Sequence, residues 1–168
     1  VTQDNYNFSF SGPFDEAPNF IGNIATTNDT ARTGLGVNRI RQQDVRFFMD
    51  ELDDNDHNAE AVSVLAVQGN GLLSDTSGNV IAEVGSFSTE DRGRNDADTI
   101  NLSHSFSDPV VFINTFGTSD DIYNATWRFT DVSSSSFSGY LHGERENLFT
   151  SAHGELDIQY IVVEKGTW

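Results

Sequence analysis

The chain has 168 residues with 26 acidic and 9 basic side chains, a formal net charge of −17 and a pI near 4.2. That balance argues against nucleic acid and against anionic membranes, because neutralising phosphates takes clustered Lys and Arg. Without cysteine there is no disulfide framework, thiolate metal site or thiol nucleophile. No apolar run approaches the roughly 18 residues of a membrane span, so membrane insertion is not expected.

Composition points to β structure. The chain holds 13 Phe and 14 Gly but 3 Pro, and no segment sustains an apolar helical period beyond about two turns. Lys165 is its single lysine. An Asp-rich surface with almost no Lys suits salty water, and self-repulsion on this scale favours bound cations. The expected location is secreted or cell-surface, as a mature or excised module of something longer.

In chain order, Phe8 and Phe10 alternate ahead of Phe14, Pro18, Phe20 and Ile24. This places a strand before a Phe-to-Pro turn and a second strand after it, with proline where no ladder hydrogen bond is required. Residues 23–36 are rich in Asn, Asp, Thr and Gly and read as a loop. Arg39-Ile40-Arg41 lies in an Arg-bearing strand, and Val45 to Glu51 forms an acid-ended strand. The acidic run Asp50 to Glu60 then leads into HNAEAVSVLAVQG, His57 to Gly69. After the polar run SDTSGNV, the order recurs. Ile100, Leu102, Phe106, Pro109, Val111 and Ile113 repeat the strand, turn and strand; Arg128-Phe129-Thr130 matches Arg39-Ile40-Arg41; Phe137 to Glu144 matches Val45 to Glu51. His153 to Gly166, HGELDIQYIVVEKG, closes the second copy, and an offset of 96 superposes His57 on His153, Val64 on Tyr160 and Val67 on Val163.

The pattern predicts an all-β chain of two tandem antiparallel β-sandwich units of about six strands. The first occupies 1–73, a linker 74–81 and the second 82–168. Val84 to Ser88 adds a leading strand to the second copy that the first lacks. The expected filler of the first copy's edge is residues 1–6, sequence outside the chain, or another chain.

Laid out as EVGSFST, an acidic loop, TINLSHSFSDPVVFINTF, ATWRFTDV, FSGYLHGE and DIQYIVVE, the second copy resembles the H-type lectin domain. The shared features are the leading Gly strand, the F-x-x-P-V-V turn, the Arg-bearing strand, a Ser-Phe turn and a closing apolar-apolar-acid triplet. Nearly all of 82–166 is covered, and 7–69 more weakly. The resemblance implies a six-stranded sandwich binding N-acetylgalactosamine-type sugars between protomers of a trimer. It points to loop acids around Glu90, Asp91, Asn95, Asp96 and Asp98, to Arg128, and to Arg39 in the first copy. The family's aromatic–His pair falls near Glu144-Arg145, where neither residue matches. The candidate sugar-binding set is Asp91, Asn95, Asp96, Arg128, Glu144 and Arg39.

Asp50, Glu51, Asp53, Asp54 and Asp56 place carboxylates close together in a loop, a pattern able to wrap oxygen ligands round Ca²⁺. It is not an EF-hand, whose sixth-position Gly is missing. His57 and His153 recur with nearby acids Glu60 and Glu155 and are read as loop anchors; zinc would need more His or Cys. Neither a nucleophile elbow nor a phosphate loop occurs, so no enzyme is expected. The functional expectation is a glycan-binding module, calcium-assisted and homo-oligomeric as a trimer or filament. The alternative is a structural subunit of an extracellular filament, fibre or virion appendage assembled by β-strand complementation.

Overall fold

The computed structural model describes residues 5–26, 28, 33–51, 58–89, 97–116, 125–143 and 156–166. Among these it is all-β, with every strand pair antiparallel. The strands are β1 (Tyr6–Ser9), β2 (Asn19–Ile24), β3 (Thr33–Ile40), β4 (Asp44–Glu51), β5 (Val62–Val67) and β6 (Gly71–Ser74). They continue as β7 (Val80–Thr89), β8 (Asp98–Asn101), β9 (Pro109–Phe116), β10 (Ala125–Val132), β11 (Ser136–Gly143) and β12 (Leu156–Glu164).

Alternation along the strands sorts them into four stacked sheets, β1-β4-β3, β2-β5, β6-β7-β12-β9 and β8-β11-β10. Phe20 on β2, Val37 on β3 and Val45 and Phe47 on β4 fill the core between the first two sheets, with Val62, Val64 and Ala66 of β5 against them. The opposite side of β2-β5 brings Ile21 and Val67 onto Ala82, Val84 and Ile161. Phe106, Trp127, Phe137, Leu141, Ile158, Tyr160 and Val162 fill the third core, between the last two sheets. β12 sends alternate residues into two cores, as its nearly continuous apolar run anticipates.

The strand order and register recur. Phe8 opposes Val45 and Ile100 opposes Phe137, each residue 92 positions after its counterpart. The β3–β4 ladder breaks between Val37 and Arg39, the β10–β11 ladder between Phe129 and Asp131. Even the turn hydrogen bonds repeat. Phe10 N donates to Gln43 O at 2.9 Å and Leu102 N to Ser135 O at 2.8 Å, while Phe14 N donates to Gln42 O and Phe106 N to Ser134 O. This register sets Gly36 at the place of Arg128 and Arg39 at that of Asp131, so the sequence match of Arg39 to Arg128 is off by three residues. Residue identity drew that match, whereas backbone pairing decides equivalence.

Within 74–81, expected as a linker, residues 75–79 are instead the turn of the β6–β7 hairpin, and Ser74, Val80 and Ile81 belong to its strands. Asp75 accepts from the backbone N–H groups of Ser77 at 2.8 Å and Asn79 at 2.9 Å, and from the Asn79 side-chain amide at 2.9 Å. Gly78 supplies the positive φ of 86° that the turn requires. These bonds, the Asn79 side chain foremost, hold the Asp75 carboxyl below its usual range. β6 therefore joins the sheet of β7, although the sequence assigned it to the first unit.

Side-chain carbonyls and carboxylates tie the turns down. Glu83, 5% exposed, accepts from Ser103 N at 3.0 and 2.9 Å and from His104 N at 3.0 Å. Glu164 accepts from Ser107 N at 2.7 Å and Asp108 N at 2.8 Å; in the first copy Gln68 accepts from Asp15 N at 3.3 Å. Between the halves, Phe20 N donates to the Gln159 side chain at 2.5 Å.

Removing the buried Glu83 carboxylate takes three hydrogen bonds from the partly buried amides of Ser103 and His104, so Glu83→Ala is expected to cost about 1–3 kcal/mol by urea unfolding. Hydrogen exchange should accelerate first at Ser103 and His104, and unchanged stability would contradict the latch. Burial, and secondarily the Glu83 charge, raises the Tyr160 phenol above its ordinary 10.0. The fold thus favours the neutral phenol. Its contribution is complete below pH 10 and is lost as pH rises through the raised value; phenolate absorbance should show one tyrosine titrating late, together with unfolding.

Candidate functional site

The outermost sheets each turn one face into a core and the other to solvent. In β8-β11-β10, Trp127, Phe137 and Leu141 point inward, so period two turns Thr99, Ser138, Tyr140 and Arg128 outward. Arg128 stands directly across from Tyr140, and Asp131 across from Ser138. The Thr99 and Ser138 hydroxyls are 2.9 Å apart. This face offers hydroxyls, one ring, one guanidinium and one carboxylate, groups that hydrogen-bond or stack on polar ligands.

The outer face of β1-β4-β3 has the same plan with different residues. Asn7, Arg46 and Arg39 lie in one row across the three strands. Arg39 donates to Asp44 at 2.6 Å from Nη2 and 3.2 Å from Nε, and to Asn7 at 3.2 Å. Arg46 Nε is shielded and meets no acceptor among the described residues. The Phe48 ring occupies the register position of Tyr140 and lies over Gly36, where a Cβ would collide with it.

Of the residues singled out by sequence, Arg128 is exposed on the β8-β11-β10 face. Arg39 is held by Asp44 on the opposite outer layer, so no single face contains both arginines. Asp91, Asn95, Asp96 and Glu144 lie outside the described residues, as do Asp53, Asp54, Asp56, His57 and His153. Asp50 and Glu51 end β4, with side chains outside the description. Among the described residues no group of three or more His, Cys, Asp or Glu is arranged to hold a metal. Glu60 is buried and accepts from the Thr26 hydroxyl and, at 2.6 Å, from Asn28 N, which makes it a tie between β5 and the loop after β2.

Sequence reasoning missed Tyr140, Phe48 and Arg46. The available signal was alternation: in SFSGYLHG every second residue after Phe137 is core-facing, which leaves Tyr140 outward. Comparison with family models, curated proteins and solved structures finds no match to this chain.

The Arg39–Asp44 pair is partly solvent-exposed, at 30% and 24% of the two side chains. Asp44→Asn is therefore expected to change unfolding free energy by no more than about 1 kcal/mol, less at high salt. A loss of several kcal/mol would make the pair a structural requirement.

Proposed function

We propose that the chain is a secreted or cell-surface carbohydrate-binding module of two tandem H-type-lectin-like sandwich units, not an enzyme. The carrying observation is the recurrence of one outward aromatic ring, Tyr140 or Phe48, at the same register position, accompanied by Arg128 in one face and Arg46 in the other. Sugar rings present apolar patches that stack on an aromatic side chain and hydroxyls that a guanidinium bridges with paired hydrogen bonds. Asp91, Asn95, Asp96 and Glu144 extend this reading to the loops, and calcium at Asp50, Glu51, Asp53, Asp54 and Asp56 is its proposed support.

A second reading, a filament, fibre or appendage subunit, is favoured by one observation. β12 is paired on both edges, whereas its counterpart β5 is paired only with β2 among the described strands.

Glycan-array binding followed by titration with the selected sugar tests the first reading. Arg128→Ala and Tyr140→Ala are each expected to weaken binding about tenfold or more. Arg128→Ala should do so with little change in Tm, because its side chain is exposed, whereas Tyr140 is half-buried, so Tyr140→Phe is the control that keeps its packing. Binding to no glycan would sink the proposal. Chelation should lower Tm if calcium is bound, and an unchanged Tm removes the ion alone.

A further inference from the structure

β12 lies between β7 and β9, and the same place in the first half is held by β5, paired with β2 in the β9 position. Ala25 N donates to Ala61 O at 2.8 Å, so antiparallel alternation directs the N–H and C=O groups of Ser63, Leu65 and Val67 toward β2. Those of Val62, Val64 and Ala66 then point to the other edge, which no described strand occupies. The edge is uncharged and proline-free, VSVLAV, and lacks the devices by which natural sheets blunt an edge.

A second gap sits beside it. In the second half Glu83 of β7 caps the Ser103 and His104 amides. The register places Ser11 and Gly12 at those positions. They line a shallow hollow of about 350 Å³ with Ser9, Phe10, Pro13, Gln43 and Asp44. The Asp44 carboxylate accepts from Arg39, and no hydrogen bond from Ser11 N or Gly12 N to a carboxylate is present among the described residues.

We infer that the β5 edge is an acceptor site for a free strand of the β7 pattern presented by another chain, paired antiparallel in the register that β7 makes with β12; β7 of a folded copy is itself held between β6 and β12 and is not the donor. The β7–β12 register puts Phe87 opposite Ile158, Gly85 opposite Tyr160 and Glu83 opposite Val162. Transferred to β5, Phe87 opposes Val62 and enters the first core, Gly85 opposes Val64, and Glu83 opposes Ala66 with its carboxylate directed at Ser11 and Gly12. One donor strand thus fills an open ladder, extends an apolar core and supplies the cap. Specificity also follows. A Cβ at Gly85 would collide with the Tyr160 ring, so β12 demands glycine there; Val64 is smaller and leaves room for a side chain.

This inference is independent of glycan binding, and its test uses no sugar. The probe is a peptide of the β7 sequence, Val80 to Thr89, carrying Gly85→Val, which β12 rejects and β5 accepts. Titration into the intact chain is expected to saturate, with slowed amide exchange at Val62, Val64, Ala66, Ser11 and Gly12. Backbone N-methylation of the peptide at positions 85 and 87 should abolish binding, and Glu83→Gln in the peptide should weaken it about tenfold. Absence of binding overturns the inference. So does slow exchange at Val62, Val64 and Ala66 in the chain without peptide, which would mean that the edge is already covered.

Discussion

The constraint on which the structure depends is the burial of β12 on both faces. Ile158, Tyr160 and Val162 enter one core while Ile161 and Val163 enter another, and both edges of the strand are paired. Asp157 near its start is exposed, but from Ile158 to Val163 the strand has no solvent face on which to place a charge, so the polar residues there and at its end must meet partners. Gln159 does so by accepting from Phe20 N, and Glu164, at the strand's end, by capping Ser107 and Asp108. Through these two residues β12 joins the halves and holds the turn that starts β9. The ring of Tyr160 in turn explains Gly85, because a side chain there and that ring would claim the same space.

Much of this was legible in the sequence because strands with one buried face alternate and because Phe-to-Pro turns punctuate both halves. HGELDIQYIVVEKG reads as a buried strand from its apolar run alone. The hairpin at Asp75 was not legible in the same way: a polar SDTSGN run describes a linker as well as a tight turn, and what distinguishes them is three bonds to one carboxylate. Arg39 and Arg128 illustrate a different limit. They share a residue type and a strand context, yet a register that carries a break in each ladder puts them at different positions. Part of the candidate site was legible: Arg128 stands out in the sequence as an Arg on a strand, whereas its cross-strand neighbour Tyr140 is marked only by alternation within SFSGYLHG.

Charge gives the outer faces their meaning. In a chain of net charge −17, three of nine basic residues, Arg39, Arg46 and Arg128, lie on two solvent faces built on one plan. For Arg39 a stability role is small, since its partly exposed ion pair with Asp44 contributes little. The proposed glycan reading gives the guanidinium hydrogen bonds to sugar hydroxyls and the neighbouring aromatic side chain a stacking face. The β5 edge, which no described strand occupies, is a different surface from the two outer faces, so the proposed strand acceptor and the proposed glycan site do not compete.

The most direct test of the central claim is a crystal structure of the chain with an oligosaccharide selected by array. The account predicts sugar density against Tyr140 and Arg128, with the weaker or second position against Phe48 and Arg46. A sugar bound elsewhere with both outer faces empty would contradict it.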